Sequence, residues 1–103
     1  MQVVTYWNHA PTTPDANGVA WVGSSGPTDS IAIGGGGWGS VNTGSPFATH
    51  GDPDASYPLV ASKPDPDNTG ATYSWKIGFA APKQQNGSEL PVGHCFVIVL
   101  EGL

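Results

Sequence analysis

Residues 31–39 read IAIGGGGWG: four consecutive glycines between apolar residues, in a chain of 103 residues that also holds eleven further Gly and ten Pro. This content limits what the chain can fold into. Gly has the largest conformational freedom to lose on ordering. Pro fixes φ and removes a backbone donor. No segment sustains an apolar period of 3.6 over ten residues, and Gly or Pro interrupts every window of helical length. The expectation is an all-β fold, a small antiparallel β-sandwich or barrel with long Gly/Pro-rich loops, forming a single domain over residues 1–103.

Short strands are expected at residues 3–7, 19–22, 31–33, 38–42 and 59–62, with Gly34 to Gly37 acting as a turn or a close backbone approach. The clearest strand is 72–79. There Tyr73, Trp75, Ile77 and Phe79 alternate with Thr72, Ser74, Lys76 and Gly78, the period of two of a half-buried strand. Residues 94–100 are apolar on both faces, which suits a strand in the middle of the core or between chains. These two are expected to be the longest strands. Tyr73, Trp75, Ile77, Phe79, Phe96, Ile98 and Leu100 are the expected core.

The low hydrophobic content, 38%, leaves one small core to order many Gly and Pro residues. Residues 1–17, 44–58 and 63–70 carry few large apolar anchors. They are expected to order against a partner. Met1 opens the chain without a basic-then-apolar leader, which fits assembly without processing.

The net charge is −5, with no Arg, and Lys63, Lys76 and Lys83 are scattered. Phosphate backbones and anionic membranes call for clustered Lys or Arg, so neither nucleic acid nor membrane is the expected partner. The longest apolar run, 95–100, is too short to span a bilayer. Cys95 is the only cysteine, so no disulfide forms within the chain, and it reads as an inert small core residue.

No catalytic residues are assigned. His9, His50 and His94 are present, and Asp52 follows His50 by two, but no nucleophile elbow or HExxH accompanies them. On a strand, His94 and Cys95 point to opposite faces, which works against a zinc site within one chain. The weak metal candidates are Asp65, Asp67 and Thr69 in DPDNTG. These have the opening spacing of a calcium loop, but Lys76 stands where the twelfth-position Glu belongs. The structural alternative for that stretch is an Asx-turn beside Pro. No cofactor is expected. Asn86-Gly87-Ser88 matches a glycosylation acceptor that carries no meaning without secretion. A second functional reading is a carbohydrate-binding domain, in which exposed rings stack on sugar faces; its ligand-binding candidates are Trp38, Trp21 and Tyr57.

Size, acidity and a Gly/Pro/Thr-rich, mostly β composition give this chain its resemblance to the decoration or cement proteins of tailed-phage heads. The likeness covers the whole chain as a type and carries no diagnostic motif. It implies a non-enzymatic capsid-stabilising protein of the virion, assembled in the host cytoplasm. Its partners would be shell subunits and further copies of itself, as a trimeric or dimeric plug with the trimer favoured, and residues 1–17 would be an extended N-terminal arm ordered on the shell. Spike-tip proteins of contractile injection systems are similar in size, Gly content and three His with one Cys. Of their repeated His and Gly-Asp motifs only Gly51-Asp52 is present, so that family is set aside.

Overall fold

The ladder of β-strand pairing fixes the architecture of the computed structural model, which describes residues 1–40, 57–65, 72–81 and 90–102. Six strands follow in chain order: β1 (Gln2–Pro11), β2 (Val19–Ser25), β3 (Ile31–Ser40), β4 (Leu59–Pro64), β5 (Ser74–Ala80) and β6 (Val92–Glu101). They form two three-stranded sheets, β1-β6-β3 and β2-β5-β4, with every pairing antiparallel. No helix occurs among the described residues. The fold is all-β.

The two sheets face each other over a core of Ala20, Val22, Ile77, Phe79, Ala81 and Cys95, continued along β6 by Val97 and Val99. Between β3 and β4 the sandwich is closed by a bridge from Gly39 to Tyr57, whose N–H donates to the Gly39 carbonyl at 2.9 Å. At the opposite side β1 and β2 share no ladder. Side chains span that seam: Asn8 Nδ2 donates to the Gly23 carbonyl at 2.7 Å, and Ser24 Oγ donates to the Tyr6 carbonyl at 2.8 Å. Backbone acceptors that an edge would expose are satisfied in this way.

The glycine tract does not turn. Expected strands at 31–33 and 38–42 are instead one strand, Ile31–Ser40, paired with β6 throughout and interrupted only by a register shift between Ala32 and Gly34. The reason is steric. A Cβ on Gly35 would overlap the Trp75 indole, and one on Gly39 would overlap the Phe79 ring. On the opposite face, a Cβ on Gly36 would stand 3.1 Å from the Phe96 ring. Gly37 has φ of 149°, and a Cβ there would collide with the His94 carbonyl. The tract is flat backbone on which rings from β5 and β6 lie.

Other expectations need correction. The strand at 72–79 is β5, seven residues long, and the ten-residue strands are β1, β3 and β6. Ile77 and Phe79 are fully buried as expected, while Trp75 is half-buried against the core and Tyr73 lies in the turn before β5. On β6 the buried set is Cys95, Val97 and Val99, and Phe96, Ile98 and Leu100 are half-buried on the other face. Both faces of β6 are apolar, so alternation alone does not choose between them. The narrower side chains turn inward because the aromatic rings of β5 already fill that space. Residues 2–11 are not a free arm but edge strand β1, paired along their length with β6. The expected strands at 19–22 and 59–62 are present and extend to Ser25 and Pro64.

Gly39→Ala is therefore expected to destabilise the protein by about 1–3 kcal/mol or more, because backbone and ring must move apart. Nothing lies within 4 Å of a Cβ placed on Gly34, so Gly34→Ala should be neutral or stabilise by up to about 1 kcal/mol. Urea denaturation of the two variants checks the contrast.

Candidate functional site

The outward face of the β1-β6-β3 sheet is assembled by register. Four rows cross it: Val3, Leu100 and Ile31; Thr5, Ile98 and Gly34; Trp7, Phe96 and Gly36; His9, His94 and Trp38. The face divides into two halves of different chemistry.

The first half is aliphatic and open. Val3 is 61% exposed and Ile31 46% exposed, and Ile98 and Leu100 between them are half-buried. Its two rows carry no charged side chain, in a chain of net charge −5. Exposed aliphatic residues gathered on a flat sheet mark a contact surface more often than scattered ones do.

The second half is aromatic and holds a hydrogen-bonded polar chain. Trp7 packs at a tilt on Phe96, with centroids 4.9 Å apart, stacks on His9 at 5.5 Å, and meets Trp38 edge-on at 5.8 Å. His9 Nδ1 lies 2.8 Å from His94 Nδ1, and His94 Nε2 lies 2.8 Å from Ser40 Oγ. His94 is fully buried and Ser40 is 5% exposed. Trp38 Nε1 is a buried donor without a hydrogen-bond partner among the described residues. Ser40, His94 and His9 have the connectivity of a nucleophile, a base and an orienting group. The Ser40 hydroxyl is buried, and its hydrogen bond to His94 lies within the packed end of this face.

Cys95 points the other way from its neighbour His94, into the core. Burial pushes its thiol up to about 12, so it stays protonated and unreactive at neutral pH.

The outward face of the second sheet carries a different group. Trp21 lies across Gly78, where a Cβ would stand 2.9 Å from the indole. Lys76 Nζ and Lys63 Nζ sit 5.1 and 5.6 Å from the ring centroid. Asp15 Oδ2 accepts from Trp21 Nε1 at 3.2 Å, while its Oδ1 accepts the N–H groups of Asn17 and Val19. The Val19 N–H, then that of Asn17, holds the Asp15 carboxyl below the ordinary range.

The three sugar-binding candidates thus do not converge. Trp21 is on the outward face of one sheet and Trp38 on the outward face of the other. Tyr57 lies parallel to Phe79, with centroids 6.1 Å apart, as a cover on the core. Only Trp21 is open enough to offer a ring, at 37% exposure. Of the metal candidates, Asp65 faces Lys76 Nζ at 3.8 Å; Asp67 and Thr69 lie outside the described residues, as do His50, Asp52 and Asn86. Among the described residues no three His, Cys, Asp or Glu side chains are placed to hold a metal ion.

The His9–His94–Ser40 chain was not anticipated from sequence. Its only signal there is that each His continues an outward alternation, His9 after Trp7 and His94 before Phe96. Pairing the two requires the register.

Comparison with protein-family models, with curated proteins and with solved structures returned no match.

The buried thiol gives a direct check on the core. Native protein should resist alkylation at about pH 8, reacting roughly a thousandfold more slowly than the unfolded chain, in proportion to its thiolate fraction. Mass spectrometry after iodoacetamide treatment with and without urea reads the difference, and equal labelling in both would contradict the burial of Cys95.

Proposed function

We propose that this chain is a non-enzymatic structural component of a larger assembly, with a virion decoration or cement protein that stabilises a capsid as the particular setting. The observation that carries the reading is the open aliphatic half of the β1-β6-β3 face, around Val3, Ile31, Ile98 and Leu100. Exposed apolar surface is held there on a rigid three-stranded ladder, and covering it is favourable by about 25 cal/mol per Å². A second copy of the chain is the occupant argued for. Copies of net charge −5 repel one another, and these two rows let them meet without bringing charged side chains into contact. A trimer is the favoured form, and shell subunits would take the remaining surface. The capsid setting rests on the resemblance in size, acidity and composition.

Carbohydrate binding is the second reading, favoured by one observation: Trp21 offers an exposed ring beside the Asp15 carboxylate. It is the weaker of the two because Trp38 and Tyr57 are engaged elsewhere.

Val3→Lys with Ile31→Lys tests the main reading, since both side chains are open to solvent and the fold should tolerate the change within about 0.5 kcal/mol per site. Light scattering of the wild type should give the mass of an oligomer, and of the double variant a folded monomer. A wild type that stays monomeric at its highest soluble concentration, or a variant with unchanged mass, would contradict self-association through this face.

A further inference from the structure

Asn17 and Gly18 form an Asn-Gly pair in the turn that leads into β2. In this dipeptide the asparagine amide is open to attack by the next backbone nitrogen, because Gly carries no Cβ to hinder it. We propose that Asn17 is a site of spontaneous deamidation that the folded turn keeps latent, so that its conversion marks chains in which the turn has opened.

The chemistry needs only these two residues and water. The Gly18 nitrogen loses its proton to hydroxide and bonds to Asn17 Cγ. The Cγ–Nδ2 bond breaks, and Nδ2 takes up a proton and leaves as ammonia. Water then opens the resulting succinimide at either carbonyl. One opening gives aspartate. The other gives isoaspartate, whose main chain runs through Cβ and Cγ. Asn17 is exposed, so water has access to the ring.

The folded turn withholds the nucleophile. Gly18 N–H donates to the Asp15 carbonyl at 3.0 Å, which engages the proton that must leave. Asp15 Oδ1 accepts Asn17 N–H at 2.8 Å and Val19 N–H at 3.1 Å, fixing the backbone on both sides of the reacting pair. Asp15 N–H donates to the Val19 carbonyl at 2.8 Å, and Ala81 N–H donates to the Gly18 carbonyl at 3.1 Å. Gly18 is held at a φ of 78°. Ring closure requires the Gly18 nitrogen to swing onto Cγ in a near-attack geometry. These five bonds oppose that rotation, so attack is confined to molecules in which the turn has opened.

The isoaspartate product does not fit the turn. It inserts a main-chain carbon between the N–H of residue 17 and that of Gly18. Asp15 Oδ1 can then no longer cap residues 17 and 19 together, and the Gly18 carbonyl moves off Ala81 N–H. Refolding does not reverse the change. Asp15 also accepts from Trp21 Nε1 at 3.2 Å, so the effect reaches the outward face of the second sheet. The site does not depend on the assembly reading, since it concerns a turn within one chain.

Incubation of the full chain at neutral pH, in native buffer and in urea, tests the proposal. Peptide mapping by mass spectrometry reads conversion at Asn17 separately from Asn86-Gly87, which lies outside the described residues. Enzymatic methylation of isoaspartate identifies the product. Asn17 is expected to convert at least about tenfold more slowly in native buffer than in urea. Asp15→Ala removes the acceptor for both side-chain-capped N–H groups. It should speed native conversion at Asn17 several-fold and leave the rate in urea unchanged. Equal wild-type rates in the two conditions, no isoaspartate at residue 17 in urea, or a folded Asp15→Ala variant converting at the wild-type rate would each overturn the proposal. The wild-type contrast between native buffer and urea decides by itself if the variant does not fold.

Discussion

The contact between aromatic rings and bare backbone along β3 is what the rest of the sandwich depends on. Trp75 and Phe79 project from β5 onto Gly35 and Gly39, where any side chain would occupy the volume of a ring. Each large ring buried contributes about 4–6 kcal/mol of gross transfer free energy at roughly 25 cal/mol per Å². Each glycine in a strand costs about 0.5–1 kcal/mol against alanine. The rings outweigh the glycines, so a tract that looks like a break is a strand. With that space filled from β5, β6 turns its narrower residues, Cys95, Val97 and Val99, inward. Phe96, Ile98 and Leu100 are left on the outward face.

That division gives the two outward faces their character. One sheet shows an aliphatic surface without charged side chains beside an aromatic and histidine cluster. The other shows Trp21 with two lysines over its ring and Asp15 on its indole N–H. An uncharged apolar face suits contact with other protein chains. The cationic rim of Trp21 keeps the second face wetted, with the lysine stems lying along the indole.

The class of the fold was legible from residue order alone. Gly and Pro spacing excluded helices, and alternation located β5, with Ile77 and Phe79 in the core. Continuity of β3 was hidden because its cause lies in another strand: nothing local to GGGG announces that Trp75 and Phe79 will rest on it. The inward face of β6 was hidden because both of its faces are apolar. The histidine chain was hidden because it depends on how β1 slides along β6, and a shift of one residue would send His9 to the other face. Trp38, Trp21 and Tyr57 look alike as aromatics in sequence. Only the packing distinguishes the ring that covers the core from the one that meets solvent.

Solution NMR of the glycine α-protons tests the central claim most directly. If Gly35 and Gly39 carry the rings of Trp75 and Phe79, their α-proton resonances will be displaced upfield by ring currents and will show NOEs to those indole and phenyl protons. Random-coil shifts for both glycines, with no NOE to either ring, would contradict a continuous β3 and the packing built on it.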